Sequence, residues 1–382
     1  MRATRIVLCL IGWCGLGAAA SAQLSPELEA GYKAGFMCSA VFHAHRAPED
    51  VARDELGNDD GTPASLEGIR IDRERKVVFV DYEGSDVPRL AIFVDNLGTV
   101  LQPSGATLDD HLPLPDASGI PMLQGEPTTL PWPDGDMMPP NEVTVGVDFA
   151  TLTAAVGEAF GGERYAPSKT TGVVVVYEGR IIAEQYAPTW NMFSQYRTWS
   201  TAKSIASALV GIMVGRDKLA VQAPAPIPEW QNDDRRAITI ENLLHMSSAL
   251  RSKGSMTLDA YWGGIDTAAD AVASELAREP GSRWYYSNYD TLLLVKSIKN
   301  ELGNDAEYLA FPRKALLNKI GMRHTFPETD PYGNYILSSQ CYTTPRDLAR
   351  FALLYLNDGV WNGERMLREG WASLVTSPAE VL

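Results

Sequence analysis

The apolar positions change their period along the chain, and each change marks an element. Ile6 to Ala20 is one uncharged apolar run behind Arg2 and Arg5, and Ala20-Ser21-Ala22 follows as a small-x-small site before Gln23. That layout predicts a secretory signal peptide, residues 1–22, removed on export to a bacterial periplasm or beyond; the run is too short to span a membrane comfortably. Leu28 to Ala52 carries apolar residues scattered as on helices, and the polar loop Gly57-Asn58-Asp59-Asp60-Gly61 ends it. From Ile69 to Leu101 the runs shorten to strand length: Val77-Val78-Phe79-Val80 and Leu90-Ala91-Ile92-Phe93-Val94 are split by Gly84-Ser85-Asp86. Prolines 113, 115, 121, 127, 131, 133, 139 and 140 then punctuate a wrap or linker and place a boundary near residue 145. Residues 23–145 thus read as an N-terminal accessory region, and 146–382 as a second domain.

The second region begins with an amphipathic helix, Phe149 to Phe160, closed by Gly161-Gly162. A hairpin spans Gly172 to Tyr186, with a turn at Glu178-Gly179-Arg180. Ile205, Leu209, Ile212 and Met213 then give one apolar helical face directly behind Ser200-Thr201-Ala202-Lys203. Lys218 to Trp230 holds three prolines and is irregular. Helices are predicted from Ile240 behind a Thr239 cap, over Thr267 to Arg278, over Tyr289 to Leu302 behind Ser287 or Asn288, over Ala306 to Asn318, over Pro345 to Leu356, and from near Arg365. A hairpin, an apolar helix and a long helical block make a mixed α/β chain of the α+β kind. Its antiparallel sheet is flanked by helices, with a large helical subdomain on one side.

Composition narrows the partners more than the fold. The formal charge is −15, and a leader holding two arginines and no acid would leave −17. So acidic a surface disfavours nucleic acid and anionic membranes and leaves a small molecule as the expected partner, with the oligomeric state open. Cys38 and Cys341 remain outside the leader; they can pair in an oxidising compartment or stay as two buried thiols. No Cys/His cluster has zinc spacing, His43 and His45 lack a third ligand, and the 57–61 loop lacks the alternating acids of a calcium site. No metal or organic cofactor is expected.

The chemistry concentrates at Ser200 and Lys203, neighbours on one helical face. A serine becomes a nucleophile beside a base, and a lysine is such a base when burial lowers its pKa. No Gly-x-Ser-x-Gly elbow occurs, and no histidine stands in a triad context, His245 reading as a packed core residue. A tyrosine facing the serine would complete a proton path. Tyr-x-Asn occurs at Tyr286, Tyr332 and Tyr355; only Tyr286-Ser287-Asn288 follows a turn, Pro280-Gly281, that feeds a helix start.

With Tyr286 lying 86 residues after Ser200, this order resembles the serine β-lactamase and penicillin-binding-protein superfamily, nearest its class C-like branch of esterases, D-aminopeptidases and 6-aminohexanoate-dimer hydrolases. Ile238 to Ser248, Ile320-Gly321-Met322 and Thr343 to Arg350 look like later landmarks of that branch, and the likeness covers about residues 150 to 380. The resemblance implies a β-lactamase/transpeptidase-like fold and a serine hydrolase acting through an acyl-enzyme. It assigns Ser200 as nucleophile, Lys203 as base, Tyr286 as proton relay and Asn288 as an orienting or substrate-binding residue. A small ester or amide is the first expected substrate, and a β-lactam or D-amino-acid peptide the second. A non-catalytic cell-wall peptide binder of the same fold is the reading from another class. The family's Lys/His-Thr/Ser-Gly element does not follow Tyr286, and Lys169-Thr170-Thr171-Gly172 is one residue too long and precedes the serine. The expectation is a C-terminally incomplete domain whose last strands and second oxyanion donor are missing.

Overall fold

The computed structural model describes residues 6–12, 24–57, 62–123, 129–138, 146–162, 169–251 and 258–378. The proposed cleavage site at Ala20-Ser21-Ala22 and the boundary near 145 lie outside them. The described part of the expected leader is strand β1 (Ile6–Gly12).

The N-terminal region is a helix laid on a small sheet. Helix α1 (Pro26–Cys38) starts where the Ser25 side chain accepts the Leu28 N–H, and it continues as a π-helical turn, Ser39–His43, before α2 (Pro48–Asp54). Strands β2 (Ile69–Asp72), β3 (Val77–Val80), β4 (Arg89–Val94) and β5 (Gly98–Leu101) form an antiparallel meander in that order. Alternation sorts their side chains: Val78, Val80, Ala91 and Leu101 pack with Ala30, Ala34 and Met37 of α1, while Val77, Leu90 and Ile92 face the other way.

Helix α3 (Phe149–Glu158), capped by Asp148, precedes strands β6 (Thr170–Tyr177) and β7 (Arg180–Tyr186). Glu178 and Gly179, with φ of 47° and 77°, make the tight two-residue turn between them. β6 is covered on both faces, Val173 and Val175 against α3 and Val174 and Val176 toward the main core; β1 pairs antiparallel along its other edge.

The remaining elements build the helical block. Strand β8 (Tyr196–Arg197) leads through a 3-10 turn, Trp199–Thr201, into α4 (Ala202–Gly215), whose Ile205, Ala206, Leu209 and Ile212 lie in the main core. Then come α5 (Ile240–Leu244), α6 (Leu258–Trp262), α7 (Thr267–Val272), α8 (Asn288–Leu302) and α9 (Asp305–Pro312). Strands β9 (Phe326–Pro327) and β10 (Cys341–Thr343) join β8 in a short antiparallel sheet of order β8-β10-β9. Helix α10 (Pro345–Leu356), the ribbon β11 (Val360–Trp361) and β12 (Glu364–Arg365), and α11 (Trp371–Thr376) follow.

Two predicted helices differ. α7 stops at Val272 rather than Arg278, because Trp230 Nε1 and Arg235 Nη1 both donate to the Val272 carbonyl, at 3.1 and 2.7 Å, and the chain leaves the helix to bridge Leu276 with Leu250. The segment at Arg365 is the second strand of a ribbon, and the helix begins six residues later. His245 is the half-buried C-cap of α5 rather than a packed core residue.

The N-terminal region shares the main core: Phe36, Leu97, Val100, Ala117, Ile120 and Trp132 pack in one cluster with α4 and α8. Buried charge ties the proline-rich wrap to α10. Arg350 pairs with Asp347 at 2.8 Å and Asp136 at 2.7 Å, and donates to the carbonyls of Pro133 and Gly135. With both cation and anions sealed from water, removing either would leave the other unpaired. Gly31 marks the closest backbone approach: a Cβ there would lie 2.2 Å from the Trp262 carbonyl oxygen. Gly31→Ala is therefore expected to force α1 from α6 at a cost of about 1–3 kcal/mol. Urea unfolding checks it, and an unchanged midpoint would mean that the two helices separate freely.

Candidate active site

Ser200 sits on the 3-10 turn at the head of α4, exposed to solvent, where the first backbone N–H groups of the helix have no intrahelical acceptor. Trp199, just ahead of it, is held at φ 48°, a left-handed conformation that costs a side-chain-bearing residue about 1–2 kcal/mol. Packing holds it there, its ring 5.7 Å from Phe36 and 6.4 Å from Trp262. The strand before it is pinned as well: Arg197 opposes Tyr342, Tyr196 opposes Thr343, and the Thr198 N–H donates to the Cys341 carbonyl at 2.8 Å.

Lys203 lies one turn along. Its Nζ is 3.1 Å from Ser200 Oγ, 2.7 Å from Asn288 Oδ1 and 2.5 Å from the Ser338 carbonyl oxygen. Tyr286 completes the group, its hydroxyl 2.5 Å from Ser200 Oγ and its ring 5.0 Å from the lysine nitrogen. Burial lowers the Lys203 pKa to about 7, so the neutral amine is abundant at physiological pH. A neutral amine has two N–H bonds and one lone pair. Two carbonyl-type oxygens occupy the N–H bonds, and the lone pair is left for the serine hydroxyl.

The segment carrying Tyr286 and Asn288 is braced from behind. Gly281, at φ 78°, and Tyr285 donate their N–H groups to the Ser247 and Met246 carbonyls, at 2.8 and 3.0 Å. Ser287 caps α8 by accepting the Asp290 N–H, which places Asn288 in the first turn with its side chain toward Lys203. Asp290 in turn accepts from Ser248 Oγ at 2.8 Å and from the Ser248 N–H at 3.4 Å.

Asp290 is sealed from water, and burial raises its pKa to about 7 against the pull of the Ser248 and Ser287 bonds. Its folded-state pKa lies above the unfolded one, so the stability its neutral form contributes is present below pH 4 and is lost as pH rises through 7. The swing is on the order of 4 kcal/mol. Asp290→Asn should flatten the fall in stability between about pH 4 and 7, as read by chemical unfolding at each pH; an unchanged slope would refute the assignment.

Ser200, Lys203, Tyr286 and Asn288, named from the sequence, stand in one hydrogen-bonded group. Tyr332 is exposed, and Tyr355 packs on Phe351 with its hydroxyl on the Ser204 carbonyl. Ser338 was not foreseen: it acts through its backbone carbonyl, which any residue type supplies. The His43 ring packs edge-on against Phe326 at 3.9 Å, and burial lowers its pKa to about 3. Cys38 and Cys341 are both free and buried, and burial pushes both thiols up. Among the described residues no group of three or more His, Cys, Asp or Glu side chains could hold a metal ion.

The antiparallel sheets and the helical block make a mixed α/β fold, with the Ser200-Lys203-Tyr286 group at the head of α4. The chain belongs to the beta-lactamase family, whose model matches residues 166–381. None of the curated proteins compared with the chain matches it. Among solved structures it is similar to a protein from Bacteroides dorei provisionally named a beta-lactamase, at 20% identity and a TM-score of 0.50, over 60% of this chain and 71% of that one. A protein from Bacillus anthracis provisionally named a 6-aminohexanoate-dimer hydrolase matches at 21% identity and a TM-score of 0.45, over 53% of this chain and 58% of its own. A penicillin-binding protein homologue from Pyrococcus abyssi, described as octameric, matches at 20% identity and a TM-score of 0.45, over 59% of each chain. The chain thus spans little more than half the length of the Bacillus anthracis and Pyrococcus abyssi proteins.

Proposed function

We propose that the protein is a serine hydrolase that acylates Ser200, acting on a small ester or amide in the manner of a carboxylesterase or a 6-aminohexanoate-oligomer amidase. The observation that carries this is the protonation logic at Lys203, a half-buried residue whose two amine N–H bonds point at Asn288 Oδ1 and the Ser338 carbonyl beside an exposed serine hydroxyl. In this reading Ser200 Oγ attacks the carbonyl carbon as Lys203 Nζ takes its proton. The tetrahedral oxygen is met by the Ser200 backbone N–H at the helix head. The carbon-to-leaving-group bond breaks as Tyr286 delivers a proton to the departing oxygen or nitrogen, and the lysine's proton restores the phenol. Water then enters with the same base and releases the acid. Every atom moved belongs to the chain, the substrate or water.

A β-lactam, which the family match supports, or a D-amino-acid peptide is the second substrate class. A binding protein that only holds cell-wall peptides is the reading this arrangement argues against, since binding needs no exposed hydroxyl beside a neutral amine. Export remains part of the proposal; no helix among the described residues is long and apolar enough to cross a membrane. The test is a panel of p-nitrophenyl esters, aminohexanoate dimer, nitrocefin and a D-alanyl peptide on the full-length protein, with intact-mass detection of a fluorophosphonate adduct. Expected are turnover of the esters or the dimer and one adduct, mapped to the Ser200 peptide. No adduct, or one elsewhere, would overturn the reading.

A further inference from the structure

The lysine's second carbonyl partner has a support of its own. Ser338 is wholly buried, and its Oγ lies 2.8 Å from the hydroxyl of Tyr261, itself only 7% exposed. The same residue's carbonyl meets Lys203 Nζ. Asn288, the other partner, is fixed by the first turn of α8, whereas Ser338 lies between strands, where only local bonds set the carbonyl's direction. Those bonds run from Ser339 and Gln340 N–H to the Ile336 carbonyl, from Ile336 N–H to Glu328, and from Glu328 N–H back to Gln340. The Ser339 N–H belongs to the same planar peptide as the Ser338 carbonyl, so its bond to Ile336 holds one side of that unit, and Tyr261 holds the Ser338 side chain on the other.

Tyr261 is firmly mounted. It belongs to α6, its ring is 5.9 Å from Trp262, and Trp262 packs edge-on against Tyr32 at 4.9 Å and lies 5.7 Å from Phe36. Arg89 Nη2 donates to the Trp262 and Gly263 carbonyls, each at 3.1 Å, fixing the end of that helix to β4. The N-terminal helix and sheet thus hold α6, α6 holds Tyr261, and Tyr261 holds the Ser338 turn.

We propose that Tyr261 is a positioning residue for the general base: its hydroxyl fixes Ser338 so that the Ser338 carbonyl aims Lys203 at Ser200. The inference rests on Lys203 being that base. Without the hydroxyl the Ser338 peptide keeps its Ile336 bond but loses its second anchor, the lysine's acceptor shifts out of line, and water reaches the amine. The titratable side chain against Lys203 is Tyr286, from the 279–287 segment; α8 presents the neutral Asn288, the 335–340 turn a carbonyl, and the 3-10 turn ahead of α4 the Ser200 hydroxyl. Burial alone moves the amine's pKa. Entry of water therefore shifts it upward.

The experiment is the rate of inactivation by a fluorophosphonate, which reads activation of the serine whatever the natural substrate is. It is measured from pH 5 to 10 on the full-length protein and on Tyr261→Phe, Ser338→Ala and the double variant. Tyr261→Phe should lower the limiting inactivation rate by about 5- to 30-fold, with reagent affinity within about twofold, and move the rising limb to higher pH. Ser338→Ala keeps the carbonyl but loses the hydroxyl and should give the same loss, with the double variant no worse than either single one. It also supplies the test if Tyr261→Phe melts early. Wild-type rate and limb in both single variants, or losses that multiply in the double, would overturn the proposal. If Ser200→Ala still reacts at the wild-type rate, the reading of the site has failed instead.

Discussion

Ser200→Ala is expected to abolish covalent labelling and to lower kcat/KM on any substrate of this protein by at least about 10³-fold, the scale on which loss of a nucleophile is felt when the rest of its site survives. The side chain is exposed at the helix head and its Oγ takes part in the bonds with Tyr286 and Lys203, so its removal opens no core cavity. Alanine fits the helix, and the melting temperature should hardly move. Loss of turnover without loss of fold is the signature. Retained turnover would place the chemistry on another residue.

The second large effect belongs to Lys203. Because burial lowers its pKa to about 7, activity should rise with pH through about 7 as the amine loses its proton. Lys203→Arg keeps the charge and most of the length but cannot deprotonate, and should cost about 10²–10⁴-fold in kcat with no rising limb left to shift. Stability should move in the opposite sense. The folded-state pKa lies below the unfolded 10.4, so stability is fully present above pH 10 and falls as pH drops through 7, where the fold must accept a buried ammonium. An isosteric Lys203→Met removes that penalty and should be more stable than the parent at pH 6 while inactive. A methionine variant that is less stable at pH 6 would show that the lysine is held as a structural cation.

How much of this could be read in advance follows from what carries each feature. Helix α10 begins and ends where its pattern said, because Thr344, Pro345 and a strong apolar stripe all act within one turn of the residues they govern. The β6–β7 hairpin was legible for the same reason, since valine alternation and the Glu178-Gly179 turn are local. Helix α7 was overread: its alanines favour continuation, but Trp230 and Arg235, some forty residues earlier, take the Val272 carbonyl and end it. At the site, Ser200, Lys203, Tyr286 and Asn288 were legible because side-chain identity does their work. Ser338 contributes a peptide oxygen and Tyr261 acts through Ser338, so neither leaves a mark in the order of residues.

The charge buried behind Ser200 has a consequence in time. Arg197 stacks on Phe36 at 3.9 Å and pairs with Glu328 at 3.8 Å, and Glu328 accepts from Ser39 Oγ at 2.6 Å and from the Thr99 N–H at 3.2 Å. Burial raises the Glu328 pKa, with Arg197 opposing the rise. These partners are drawn from positions 36 to 328, so a ribosome must release most of the chain before the last of them arrives. Ser39 and Thr99 wait, already synthesised, for a carboxylate that comes 229 residues after Thr99. Loops that long close slowly. The charged group beside the Ser200 turn can therefore be completed only once residue 328 has been made.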